Sequence, residues 1–137
     1  MAAPRPLPRF PEPDTQPFWD ATKNHELKYQ KCDDCKGVVF FPRSHCAACG
    51  SSKLSWHTSK GEGTVYTYSV VRLNRHPSFF DLGPYAIAYV DLDEGFRIMT
   101  NVVGVADPLN DVKIGMRVKV RWEDQEGGLS LPMFAPA

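Results

Sequence analysis

The chain has 137 residues, with sixteen Lys and Arg balanced by sixteen Asp and Glu and a formal net charge of zero. That length holds one ordinary domain or two small modules, and the charge balance supplies no general attraction to nucleic acid or anionic membranes. No apolar run approaches the roughly eighteen residues of a membrane span, and the opening Met-Ala-Ala-Pro-Arg-Pro-Leu-Pro-Arg-Phe lacks an apolar leader core, so the expected compartment is the cytoplasm.

Residues 1–17 carry six prolines (Pro4, Pro6, Pro8, Pro11, Pro13 and Pro17) and few apolar side chains. Such an arm has no core of its own and is expected to run extended over a surface. Thr15 as N-cap, Pro17 in the first turn, and Phe18, Ala21, Thr22 and His25 at helical spacing predict a helix over 16–26. Trp19 falls off that stripe, so Phe18 and Trp19 are the first interface candidates, with packing onto the next module the commoner fate of Phe18.

Leu27–Lys31 and Val38–Phe41 read as short strands flanking the first of two cysteine pairs. Cys32, Cys35, Cys46 and Cys49 follow the pattern C-x₂-C-x₁₀-C-x₂-C. Two such knuckles each offer a pair of thiolates to one tetrahedral Zn²⁺, closing a site with no open position for chemistry. Residues 27–57 then form a zinc ribbon, too small to bury an adequate core without its metal. The competing readings are a disulfide framework, a redox pair and a rubredoxin-like iron. The first lacks a secretory context and leaves the rest of the chain unstapled; the second lacks a neighbouring βαβ pattern. His45 reads as a solvated knuckle residue, because four thiolates already fill the tetrahedron.

From Gly61 onward the pattern has period two. Thr64–Leu73, Tyr85–Leu92, Phe96–Val103, Arg117–Trp122 and Leu129–Phe134 read as strands, separated by turn chemistry such as Asp93-Glu-Gly95 and Gln125-Glu-Gly-Gly128. Five short antiparallel strands without an intervening helix of useful length fit a closed OB-fold barrel over 58–137, with a small β-sandwich as the competing architecture. The long first strand opens on Gly61-Glu-Gly63, as suits a strand that bends and pairs on both sides at a barrel corner. The chain is therefore expected to be mainly β, in three parts: arm and helix (1–26), ribbon (27–57) and barrel (58–137).

No serine or cysteine nucleophile sits in a recognisable elbow near His25, His45, His57 or His76, and Asp91, Asp93 and Glu94 run into a glycine turn where acids face water. An independent active site is not expected. Arg117, Lys119 and Arg121 alternate with Val118, Val120 and Trp122, which places three cations on one strand face. This is either an ordinary outward face or a strip for phosphates. Arg72, Arg75 and His76 form a second basic group where the first barrel strand enters its loop. In that loop Phe79, Phe80 and Leu82 either cap the barrel end or meet a partner. Single-stranded nucleic acid is the rival ligand, since Tyr66 and Tyr68 lie two apart on one strand. Against it, residues 60–137 hold eight Lys and Arg to ten Asp and Glu, a net charge of −2.

Phe18-Trp19, Cys32-Asp-Asp-Cys35, Pro42-Arg43 and Cys46-Ala-Ala-Cys49-Gly50 resemble the rubredoxin-like zinc ribbon of a bacterial and archaeal family, formerly a domain of unknown function, of acyl-CoA-associated OB-fold proteins. The similarity continues through Gly61-Glu-Gly-Thr64, Pro84-Tyr85, Val90-Asp-Leu-Asp-Glu-Gly95, Thr100-Asn-Val102 and Ile114-Gly-Met-Arg-Val118. Lys36 before Gly37, and Ala47 where proline is common, depart from the family pattern without touching a ligand. The resemblance implies a non-catalytic partner of thiolase-superfamily enzymes or aldolases in lipid or sterol side-chain metabolism, in some cases with an enoyl-CoA hydratase. Acyl-CoA is the implied ligand and Zn²⁺ the implied metal. On that reading Arg72, Arg75, His76, Arg117, Lys119 and Arg121 are the CoA-phosphate candidates, and Phe18, Trp19, Phe79 and Phe80 the interface candidates.

Overall fold

The period-two segments close on themselves. In a computed structural model that describes residues 3–9 and 12–137, the elements in chain order are α1 (Gln16–Thr22), β1 (Lys28–Cys32), β2 (Val38–Val39), β3 (Leu54–Thr58), β4 (Glu62–Val71), β5 (Tyr85–Leu92), β6 (Arg97–Val102), α2 (Pro108–Asp111), β7 (Arg117–Asp124) and β8 (Ser130–Pro136). A three-stranded sheet, β2-β1-β3, carries the cysteines, and β4-β5-β6-β8-β7 form a closed barrel.

The corner expected at Gly61-Glu-Gly63 is where the barrel closes. Gly63 pairs with Leu92 of β5 on one side and Val118 of β7 on the other. A Cβ on Gly63 would sit 2.5 Å from the Asp91 carbonyl oxygen, so only glycine lets the two backbones approach. Two residues further into β4, a bulge between Val65 and Thr67 breaks the register. It reverses the parity of the strand: Val65 faces the core, but so does Tyr68, while Tyr66 is 52% exposed. The two tyrosines expected to share a face do not share one.

Helix α1 is shorter than its spacing predicts. Thr15 occupies the N-cap position without a side-chain cap, and its carbonyl accepts from the Trp19 N–H at 3.2 Å. Phe18, Ala21 and Thr22 are buried as expected. His25 is not on the helix: it sits at φ +58°, its imidazole bonded to Asp124 at 2.6 Å and stacked on Trp122 at 5.5 Å between centroids. The helix ends there in a backbone cap, with the Glu26 and His25 N–H groups donating to the Ala21 and Thr22 carbonyls at 3.1 and 2.9 Å around the left-handed His25. Strand β3, absent from the sequence reading, pairs along the whole of β1, and the four-residue helix α2 begins where Asp107 caps the Leu109 N–H at 3.0 Å.

Aromatic rings join ribbon to barrel. Phe96, in the turn between β5 and β6, stacks on Phe40 at 4.6 Å and on Tyr29 at 5.1 Å, and Phe40 meets Phe18 edge-on at 5.8 Å. Burying a ring of this size contributes about 1.5–3 kcal/mol, so this cluster fixes the ribbon against the barrel. Glu94 adds a polar tie, accepting from Ser59 Oγ at 2.7 Å and from the Lys60 N–H at 2.8 Å.

Candidate metal centre and apolar groove

The turns after β1 and before β3 bring the four cysteine sulfurs within 4.8 Å of one another. Cys32 and Cys49 lie 3.6 Å apart, as do Cys35 and Cys46. Thiolates at about 2.3 Å from a tetrahedral Zn²⁺ are separated by about 3.8 Å, so the spacing fits one ion. Backbone N–H groups reinforce the fit: Cys35 donates to the Cys32 sulfur at 3.5 Å, Gly37 to Cys35 at 3.4 Å and Ala48 to Cys46 at 3.4 Å. Lys36, the departure from the family pattern, adopts φ +63° in the first knuckle. The N–H groups of Cys49 and Ala48 draw the Cys46 thiol down to about 7. Cys49 receives an N–H from Ser51, yet the sulfurs of Cys35 and Cys32 push its thiol up to about 12. Four thiolates this close repel one another, and a divalent cation is the group that relieves them. Zinc bound here would organise the ribbon, with all four ligand positions taken by protein.

The acidic group at the end of β5 is engaged in structure. Arg97 donates to both Asp91 oxygens at 2.6 and 3.0 Å, and Arg117 to both Asp93 oxygens at 2.8 and 2.7 Å. These guanidinium contacts hold both carboxyls below the ordinary aspartate range. At neutral pH they are charged and occupied, which suits neither a proton donor nor a base.

The expected cationic strip on β7 faces outward, but its members differ. Arg117 is held by Asp93, and Lys119 lies 3.8 Å from Glu62. Arg121 lies over Gly104, and it, Arg72 and Arg75 have no carboxylate partner among the described residues. His76 Nδ1 accepts from the Ser78 N–H at 3.1 Å. The aromatic surface of Tyr66 is covered by the Arg97 guanidinium, 3.6 Å from the ring centroid.

The four interface candidates separate in the same way. Phe18 is 7% exposed, so it belongs to the core rather than to an open surface. Phe79 is half-buried, under Arg5 of the N-terminal arm at 4.7 Å and beside Tyr85. The arm therefore lies across its own barrel. Phe80 remains 58% exposed and Trp19 partly so.

Trp19 leads to a feature the sequence reading missed. It forms one wall of an apolar groove of about 420 Å³ between α1, the ribbon segment after β2 and strands β6 and β8, with Phe41, Met99, Leu131 and Pro132 among its other walls. Phe41 is 69% exposed and Met99 63%. A second cavity, about 200 Å³ and reaching Leu82 and Tyr85, shares Asn101 and Met133 with the first. The first groove is apolar, whereas Arg5 and Glu123 give the second a polar wall. The polar groups along the first are largely satisfied internally: Thr100 Oγ1 donates to the Pro132 carbonyl at 2.8 Å, and Asn101 Nδ2 to the Ala86 carbonyl at 2.9 Å. The adjacent Phe40-Phe41 pair was the available signal, since alternation buries only one of them.

Residues 19–55 match the model described as "ChsH2, rubredoxin-like zinc ribbon domain", and residues 56–123 match "ChsH2, C-terminal OB-fold domain". A "DUF35 domain-containing scaffold protein" of Methanothermobacter thermautotrophicus is 36% identical over 79% of this chain and 84% of its own length. The chain belongs to the ChsH2-type DUF35 family. Another relative, a "Probable enoyl-CoA hydratase alpha subunit" of Thermomonospora curvata, is 40% identical over 88% of this DUF35 chain, which spans 37% of that relative's length. Among solved structures, a chain of the "Ltp2-ChsH2(DUF35) aldolase" superposes with a TM-score of 0.82 at 36% identity, covering 96% of this chain and 98% of that one. Among the described residues, no helix is long and apolar enough to cross a membrane.

Proposed function

We propose that this DUF35 chain is a non-catalytic scaffold subunit of a CoA-dependent enzyme of the thiolase or aldolase type, working in the cytoplasm. The observation that carries the reading is the apolar groove walled by Trp19, Phe41 and Met99, on a chain whose fold matches 98% of a chain of the "Ltp2-ChsH2(DUF35) aldolase". A small barrel that leaves aromatic and Met side chains together in a groove has a surface suited to a protein partner. The acids bound to arginine, and cysteines gathered for metal, leave the chemistry to that partner. Acyl-CoA is the ligand we assign to the assembled complex, in lipid or sterol side-chain breakdown. Arg72, Arg75 and Arg121 are the phosphate contacts we retain, because Arg117 and Lys119 already face carboxylates.

The test is reconstitution with the thiolase- or aldolase-type enzyme encoded in the same genome, comparing acyl-CoA turnover with and without this chain. Turnover is expected to depend on the chain and to fall at least about tenfold with Phe41→Asp/Met99→Asp, with zinc content unchanged, as expected for loss of a central apolar contact. Equal turnover with and without the chain would overturn the reading.

A further inference from the structure

The N-terminal arm makes contacts that an unstructured leader does not make. The Ala3 N–H donates to the Pro77 carbonyl at 3.2 Å, Ser78 Oγ donates to the Pro4 carbonyl at 2.7 Å, and Arg5 Nη1 reaches the Ser78 carbonyl at 3.4 Å. Arg5 Nε donates to Glu123 Oε1 on β7 at 3.0 Å, and its guanidinium lies over the Phe79 ring at 4.7 Å. The Arg5 side chain is only 15% exposed, and Ser78 is 5% exposed although it belongs to a connecting loop.

The loop has few other anchors. Within it, the Phe79 and Phe80 N–H groups return to the His76 carbonyl at 2.9 and 3.0 Å, and Asn74 Nδ2 donates to the Tyr85 hydroxyl at 2.8 Å. These bonds shape the turn locally but do not tie its apex to β7. Arg5 does: one guanidinium bonds the loop backbone, stacks on the loop aromatic and pairs with a carboxylate of the barrel. A guanidinium with that many partners, partly removed from water, is worth more than an exposed ion pair.

We propose that the N-terminal arm is a strap that fixes the loop 76–82, with Arg5 as the positioning residue and Glu123 as its anchor. The strap decides which phenylalanine of the adjacent pair faces out: Phe79 is held against Tyr85, and Phe80 and Leu82, 58% and 45% exposed, are left outward. Release of the arm frees Phe79 and opens the small cavity of which Arg5 and Glu123 are walls. The inference concerns the isolated chain and stands apart from the scaffold reading.

The experiment is hydrogen exchange at the Phe79, Phe80 and Leu82 amides, with tryptic cleavage after Arg75, in Arg5→Ala, Glu123→Gln and a chain lacking residues 1–9. All three are expected to exchange about tenfold faster or more at those amides and to be cut faster, while barrel amides of β4 and β5 and the zinc content stay unchanged. The double exchange Arg5→Glu/Glu123→Arg is expected to restore part of the protection. Wild-type protection in Arg5→Ala and in the shortened chain overturns the strap. So does a loss of protection that spreads equally through β4 and β5. Neither result depends on whether a partner enzyme binds.

Discussion

Cys46 and Gly63 carry the most local information in this molecule. Replacing Cys46 by Ser removes one of the four sulfurs gathered within 4.8 Å, and the ribbon is expected to lose its metal and its sheet. Metal analysis and far-ultraviolet circular dichroism check this; a folded variant with one zinc per chain would sink the four-thiolate assignment. Gly63→Ala introduces a Cβ at 2.5 Å from a backbone oxygen that pairing holds in place. It is expected to cost about 1–3 kcal/mol in a urea titration, whereas Gly127→Ala in the open hairpin meets no atom within 4 Å and pays only for its φ of +94°. Both sites were legible in the sequence, because a cysteine quartet and a glycine at a strand start each have few physical explanations. Phe18 was legible as an aromatic needing cover, but which surface covered it depended on Phe40, twenty-two residues away.

Among the elements, strand β5 stands where alternation places it, and the other barrel strands differ from the sequence reading only at their ends. The errors have causes. Helix α1 stops early because His25 takes a left-handed backbone and the His25 and Glu26 N–H groups close the end on Thr22 and Ala21, which leaves the imidazole to reach Asp124 and Trp122. Strand β3 was hidden because Leu54-Ser-Trp-His-Thr58 is short, half polar and stabilised by its neighbour β1. The bulge in β4 leaves no local signal, and it turned the reading of Tyr66 and Tyr68.

The ties between elements set a pH dependence. Arg97, Arg117 and His25 hold Asp91, Asp93 and Asp124, in that order, below the ordinary aspartate range. The folded chain therefore binds fewer protons than the unfolded one over the acid range. The contribution is complete above the unfolded value of about 3.9 and is lost as pH falls below it, toward the folded values. Asp93→Asn is expected to be less stable than wild type at pH 7, and the gap is expected to narrow as pH drops from 5 to 3. Comparing the two chains cancels the acid release of zinc they share. A gap that stays constant would mean the Arg117–Asp93 pair does not contribute.

At the scale of the molecule, the family and its two modules were readable from motif order, because ligand spacing and strand alternation are local patterns. The groove was not. Its walls come from residues near 19, 41, 99 and 131, four places joined only once ribbon, helix and barrel have packed. The same holds for the pairing of Arg5 with Glu123, 118 residues apart in sequence. Surfaces that bind partners are assembled in this way, so a sequence exposes their ingredients, such as Phe40-Phe41, before it exposes their shape.

On the proposed function, this DUF35 chain works only as part of an enzyme. The most direct measurement is purification of the tagged chain from its native host, with co-eluting proteins identified and their ratio determined by mass spectrometry. A thiolase- or aldolase-type subunit is expected in fixed ratio to the chain. A chain that elutes alone, or with nuclease-sensitive nucleic acid, would rule out the scaffold role.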